Sequence, residues 1–265
     1  MLMLSRRVFL IGAFAPVLTR GAWAQTDEIR VICSGGFTAA YKLLVPRFEQ
    51  KTGKTVVSAF GASMGNAPDA IPQRLARGEP TDVIILARSA LDQFANQGVV
   101  RPESSVDLVD SRIGLAVRAG APKPDISTIE ALRQALLNAS SIAYSASASG
   151  VYFETELLKR LGIEAEVKPK SKKILSERVA AVVVRGDAEM GFQQISEILE
   201  VPSAELVAPL PDEVQRITVF SAGVLTKAPN PDGAAELIRF LASEDAAETI
   251  ASTGVDPVIR RRRAA

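Results

Sequence analysis

Ser34-Gly35-Gly36-Phe37-Thr38 and Phe60-Gly61-Ala62-Ser63-Met64-Gly65 are the two stretches of this chain best suited to chemistry. Each follows a β-branched run, Ile29 to Ile32 and Thr55 to Val57, and each precedes a segment of helical periodicity. A small-residue turn between a strand and a helix leaves backbone N–H groups uncovered at the positive end of the helix dipole, where an anion is held. One such turn usually only joins elements. Two of them early in the chain, with hydroxyls at Ser34 and Ser63 and with Gly35, Gly36 and Met64 beside them, describe a small-anion pocket.

Missing residue types narrow the chemistry. The chain has no histidine, which excludes a Ser-His-Asp triad, a histidine base and any histidine-ligated metal. A single cysteine excludes an intramolecular disulfide, a thiolate zinc site and an iron–sulfur cluster. Cys33 sits inside an apolar strand and reads as a small buried residue rather than a nucleophile. No cofactor motif is present, so neither a cofactor nor a metal is expected.

The N-terminal segment reads as a removable export signal. Ser5-Arg6-Arg7-Val8-Phe9-Leu10 places paired arginines before an apolar stretch ending near Leu18, and Ala22-Trp23-Ala24 supplies the small residues of a cleavage site. The pattern is that of a twin-arginine signal, with cleavage after Ala24. The apolar stretch is shorter than the ~20 residues that cross a bilayer, so no permanent membrane anchor is expected. The mature protein should begin near Gln25 and occupy the periplasm as a monomer. Loss of residues 1–24 removes three arginines and leaves a net charge of −2, or about −6 without Arg260 to Arg263. That balance argues against a nucleic-acid surface, and the arginine run reads as a solvated tail.

Strand-like and helix-like segments alternate along the mature chain, the signature of α/β architecture. Strands are expected at Ile29 to Cys33, Thr55 to Phe60, Asp82 to Ala87, Ile113 to Val117, Ser141 to Tyr144, Met190 to Gln194 and Thr218 to Leu225. Helices are expected at 38–51, 67–77, 151–161, 176–185 and 232–241, with a capped start at Ser127-Thr128-Ile129-Glu130 and another helix near Asp245 to Thr253. Ala119 to Asp125 is a Gly/Pro-rich break and the expected crossing between two lobes. A chain that leaves one lobe, builds a second and returns has the layout of a hinged binding protein.

Arg30 to Glu49, Gly78-Glu79-Pro80-Thr81-Asp82-Val83, Ser149-Gly150-Val151-Tyr152, Arg185-Gly186-Asp187 through Gly191, and Asn230-Pro231 through Ser243 together resemble the periplasmic solute-binding proteins related to molybdate-binding protein. The resemblance covers essentially the whole mature chain. It implies a two-lobe type 2 periplasmic binding fold with a hinge and an anion in the inter-lobe cleft. The divisions it suggests are a signal peptide at 1–24, lobe 1 at 25–118 and 215–259, lobe 2 at 119–214, and a basic tail at 260–265.

Against the molybdate binders, Ser63 keeps the second-turn serine. The first-turn serine position falls on Gly36, with Ser34 as a substitute, and the tyrosine position falls on Gln194. The second turn is longer by about four residues, adding Gly65, Asn66, Pro68 and Asp69 near the pocket. Asn66, Gln193 and Gln194 supply both donors and acceptors and suit an organic di- or tricarboxylate better than molybdate. Ser149, Gly150 and Tyr152 align with a binding loop, while Ser145 and Ser147 are either donors or ordinary loop residues. Arg88 reads either as a carboxylate partner or as a surface charge.

The segments around Ser34, Ser63, Asp69 and Gln193 are similar to an aconitate-isomerising branch of the same family. The main expectation is a binding protein for a small organic anion, with an ABC permease as a possible partner. The alternatives are an aconitate isomerase, a molybdate or tungstate carrier, and a sensor partner for a membrane kinase. An isomerase would need a base, and Tyr152, Tyr144 and Asp69 are the candidates by position.

Overall fold

The opening apolar runs pair as expected. In the computed structural model, which describes residues 28–259, β1 (Glu28–Cys33) is followed by α1 (Gly35–Thr52), β2 (Thr55–Phe60), α2 (Ile71–Ala76), β3 (Val83–Ala87), α3 (Arg88–Asn96) and β4 (Val106–Ser111). The export signal, its cleavage site and the Arg260 to Arg263 tail lie outside the described residues. β1 runs parallel to both β2 and β3. Side chains alternate between its faces, as strand geometry requires. Val31, Cys33, Val83 and Ile85 pack against Phe37, Tyr41, Leu44 and Phe48 of α1. Ile32, Ile84 and Leu86 meet Ile71 and Leu91 on the other face. Covered on both sides, β3 is buried along its whole length, which is why its sequence is continuously apolar. Gly53 ends α1 in the left-handed conformation (φ 72°) and returns its N–H to the Glu49 carbonyl at 2.8 Å.

The chain then enters a second sheet. β5 (Ile113–Arg118) and α4 (Ile129–Asn138) lead to β6 (Ile142–Ser145), α5 (Ala148–Tyr152), α6 (Leu158–Arg160), α7 (Glu164–Val167) and β7 (Ser171–Ile174). α8 (Val179–Arg185), β8 (Met190–Gln194), α9 (Ile195–Leu199) and β9 (Ala204–Pro209) complete it. The return to the first sheet gives β10 (Thr218–Val224), α10 (Pro231–Leu241), α11 (Glu244–Ala251) and β11 (Asp256–Pro257). The six-stranded sheet has the order β11-β4-β10-β3-β1-β2 and the five-stranded sheet β7-β6-β8-β5-β9. Each has its own core. Leu115, Leu136, Tyr144, Phe153 and Phe192 anchor one face of the second sheet, and Val179, Val182 and Val183 the other.

Sheet membership moves the lobe boundary. β5 pairs antiparallel with β8 and β9, so it belongs to the second lobe, and the first crossing is at Arg112 rather than within 119–125. The Gly/Pro-rich break there is a loop on the far side of β5. Residues 210–217 make the return crossing. The two crossings are stitched together by side-chain amides. Gln194 accepts from Ser111 Oγ at 2.8 Å and donates to Thr218 Oγ1 at 3.0 Å, and Gln215 bonds both the N–H and the carbonyl of Ile113 at 2.9 Å.

Several elements differ from the sequence reading. The helix expected at 67–77 forms only over α2, because Pro68 and Asp69 belong to the loop before it. The helix expected at 151–161 is α5, a π-helical turn at Phe153–Leu157 and α6 in succession. The helix expected from 176 starts at Val179 and leaves residues 175–178 as a loop. β4, β7 and β9 are additional strands, short and partly exposed, whose apolar alternation is too weak to read. Among the described residues no helix is long and apolar enough to cross a membrane.

Gly36 is fixed by packing. A Cβ there would lie 2.2 Å from Cζ of Phe220, a ring that is 2 % exposed and has no room to swing aside. Gly36→Ala should therefore lower unfolding stability by about 1–3 kcal/mol, measured as a shift of the urea midpoint at constant slope.

Candidate functional site

The strand ends of the two lobes face each other. Residues at or just beyond the carboxyl ends of β1 (Ser34, Gly35), β2 (Phe60, Gly61, Ala62), β6 (Ser145, Ala146, Ser147), β7 (Ile174 to Arg178) and β8 (Gln193) enclose a cavity of about 250 Å³. Thr38 and Lys42 of α1, Asp69 of the second-turn loop and Glu197 of α9 complete its wall. Ligands of open α/β sheets bind at such strand ends because helix N-termini and bare amides converge there.

Ser34 sits at the N-cap of α1 in an extended conformation, yet its hydroxyl makes no cap bond. It lies instead 2.6 Å from Ser63 Oγ, which in turn accepts from the Ala87 N–H at 3.0 Å. With Ser63 donating to Ser34, the Ser34 proton is left for a ligand. Ser63 is fully buried behind Ser34 and supports the turn from outside the cavity wall. The Ser34 hydroxyl at the first turn of α1 therefore faces the cavity.

The opposite lobe brings a carboxyl group to that same helix start. A Cβ on Gly35 would lie 1.8 Å from Glu197 Oε1, so the absence of a side chain is what admits the carboxyl. Burial pushes the Glu197 acid up to about 6, against the lowering effects of Arg178, the Gln194 backbone N–H and the Gln193 amide. Its side chain is 15 % exposed. Arg178, from the loop before α8, reaches Glu200 through Nη2 and stands 3.6 Å from Glu197 Oε1 through Nη1. Lys42 of the first lobe bonds Glu200 at 3.1 Å, so two cations and two carboxyl groups close this end of the cleft. Ser196 adds a hydroxyl bond of 2.9 Å to the Gly36 carbonyl across the lobes.

Two buried atoms of this wall have no hydrogen-bond partner, Arg178 Nη1 and Asp69 Oδ1. An unmade bond of a buried group costs about 1–3 kcal/mol, and more when the group is charged.

The residues expected at the site fall into three places. Ser34, Gly35, Asp69, Gln193, Ser145 and Ser147 meet in the cavity. Gln193 accepts from the Ala180 N–H at 3.1 Å, which fixes the orientation of its amide. Gly36, Ser63, Ser149 and Gly150 lie just behind the wall. Ser149 bonds Ser145 at 3.1 Å, and a Cβ on Gly150 would strike the Ser145 carbonyl at 1.6 Å, so both residues shape the loop. The rest lie elsewhere. Asn66 is exposed, and Gln194 is occupied at the crossings.

Tyr144 faces the interior of lobe 2 against Phe153, and burial together with Glu154 pushes its phenol up to about 12. Tyr152 donates to the Val214 carbonyl at 2.6 Å and lines, with Met64, a separate cavity of about 300 Å³ near the crossings. The cations of that second cavity are already paired, Arg88 with Asp92 and Asp107 at 2.7 Å and Arg216 with Glu156. Among the described residues no group of three or more acidic or cysteine side chains clusters as a metal site would. Cys33 is buried at the end of β1, and burial pushes its thiol well up.

Glu197, Arg178 and Lys42 were not legible as site residues. Arg178 was placed inside a helix that in fact begins one residue later, and Glu197 follows the Gln193-Gln194 pair on a helix of one turn. The usable signal was that pair itself, a polar strand end with an acid three residues beyond it.

A family model for bacterial extracellular solute-binding proteins matches residues 29–256, and the chain belongs to that family. It is 44 % identical over 249 residues to a Pseudomonas protein named aconitate isomerase, covering 94 % of each chain. It is 24 % identical over 263 residues to the molybdate-binding protein of Azotobacter vinelandii, covering 95 % of this chain and 97 % of the other. The solved structure of the Azotobacter vinelandii periplasmic molybdate-binding protein superposes with a TM-score of 0.69 at 19 % identity, over 86 % of this chain and 98 % of that one.

The raised acid has a thermodynamic consequence. A carboxyl whose folded value lies above its unfolded one stabilises the fold fully below about 4.5 and loses that contribution as pH rises through about 6. Glu197→Gln has no such group. The stability of the variant relative to the parent should therefore climb between pH 4.5 and 7 by about 1–2 kcal/mol, read from urea unfolding across that range. A flat difference would mean that the carboxyl is solvated.

Proposed function

We propose that this member of the solute-binding family takes a small organic polycarboxylate between its lobes and interconverts the cis and trans forms of aconitate in the periplasm. The observation that carries the reading is the inter-lobe cavity, in which an arginine nitrogen without a hydrogen-bond acceptor lies near the start of α1. The relative named aconitate isomerase supports the choice of substrate. Size supports it as well. At ~30 Å³ per water, 250 Å³ has room for about eight water molecules, more than a tetrahedral oxyanion fills. Ser63, whose counterpart the molybdate relatives are expected to use on their ligand, is here committed to Ser34 and Ala87.

Moving the double bond of aconitate requires a base to take a proton from the methylene carbon next to a carboxylate. The electron pair spreads into the neighbouring carboxylates, and a proton then returns to the former alkene carbon. In this cavity one substrate carboxylate accepts from Arg178 Nη1, and another lies against Ser34 and the first amides of α1. A cation and a fixed dipole then stabilise the charge that develops, in a site removed from bulk water.

Capture without turnover, for delivery to an ABC permease, is the second reading. The match to a molybdate-binding protein and the two-lobe cleft favour it. The two readings separate in one assay. Protein lacking residues 1–24, without added metal, should bring the ultraviolet absorbance of cis- and trans-aconitate to the same final value from both sides. Arg178→Met should raise KM about 10–100-fold, the loss of one hydrogen bond to a charged group. A melting temperature raised by molybdate, with neither aconitate isomer converted, would contradict the isomerase reading.

A further inference from the structure

The cavity offers three carboxyl groups and no histidine to move a proton. Glu177 is held by Arg185 at 2.7 and 3.0 Å. Asp69 stands on the first lobe with Oδ1 unpartnered. Glu197 stands on the second lobe, over Gly35 and 3.6 Å from Arg178 Nη1, which has no hydrogen-bond acceptor. Neither tyrosine expected from sequence reaches this space, since Tyr152 is bonded to Val214 and Tyr144 is packed on Phe153.

We infer that Glu197 is the acid–base group that carries the proton between the two carbons of the substrate, an assignment that rests on the isomerase reading above. A substrate carboxylate seated on Arg178 Nη1 brings the carbon bonded to it beside Glu197 Oε1. That carbon is the one whose proton is made acidic by the carboxylate. In the forward step the methylene C–H bond breaks, its proton passes to the Glu197 carboxylate, and its electron pair becomes part of a three-carbon allylic system. In the return step the Glu197 O–H gives the proton to the carbon at the other end. A new C–H bond forms there, the double bond closes between the remaining two carbons, and the carboxylate is regenerated. No oxidant, reductant or co-reactant is consumed.

The surroundings suit a group that must hold and release a proton in turn. Burial raises the carboxyl while Arg178 and the Gln193 amide limit the rise, so both forms are accessible near neutral pH. The charged and titratable groups around it are Arg178 from the loop before α8, Glu200 on α9, and Lys42, Asp69 and Glu177 on the cavity wall. Gly35 keeps the position open from the other lobe.

The test compares wild type, Glu197→Gln, Glu197→Asp and Asp69→Asn with cis- and trans-aconitate, and follows deuterium entering the methylene position in D2O. Glu197→Gln should bind trans-aconitate, seen as a thermal shift, while losing at least ~100-fold in kcat and all detectable exchange. Glu197→Asp should fold and keep partial turnover with KM within a few-fold of wild type. The kcat/KM of wild type should rise to a plateau with a midpoint near 6, the value of Glu197 in the free protein, and the residual kcat/KM of Glu197→Gln should lack that limb. Turnover retained within about tenfold in Glu197→Gln, or lost in Asp69→Asn alone, would overturn the assignment and leave the isomerase reading standing. Wild type that binds aconitate but neither converts nor exchanges it would overturn both.

Discussion

Arg178, Glu197, Glu200 and Lys42 meet where the two lobes come closest, and the cleft depends on how that small group is balanced. Arg178 satisfies Glu200 and stands near Glu197 but keeps one nitrogen without an acceptor. Lys42 ties Glu200 back to α1, so the same carboxylate serves both lobes. Glu197 and Glu200 are mostly buried, so the charge each carries depends on Arg178 and on the other. The helix dipole of α1 points at the same spot, with Gly35 leaving the space that Glu197 now occupies.

The rest of the fold exists to bring those groups into register. Parallel strands β1 and β2 end at Cys33 and Phe60, and β6, β7 and β8 end at Ser145, Ile174 and Gln194 from the other side. The two crossings at Arg112 and 210–217 lie side by side, tied by Gln194 and Gln215.

What could be read from sequence follows the range of the interactions. The strand–turn–helix units around Ser34 were legible because β-branched runs, glycine and helical periodicity are all local. Gly53 as a cap and the buried β3 were legible for the same reason. The crossing was misplaced because a Gly/Pro-rich loop marks a turn without saying which sheet the preceding strand joins. That choice is made by pairing of Ile113–Arg118 with strands some 80 residues later. Gln194 looked like a ligand group because it closes a polar strand end, yet its partners Ser111 and Thr218 come from the other sheet. Glu197 and Arg178 were invisible because their meaning lies in each other, 19 residues apart within the second lobe, and in Gly35 of the first lobe.

Solving the crystal structure of the protein with trans-aconitate bound tests most directly whether the open nitrogen of Arg178 is the anchor of the site. A substrate carboxylate should lie about 3 Å from Arg178 Nη1, with a second carboxylate at Ser34 and the start of α1. Aconitate lodged instead in the cavity beside Met64 and Tyr152, with Arg178 Nη1 still without an acceptor, would contradict it.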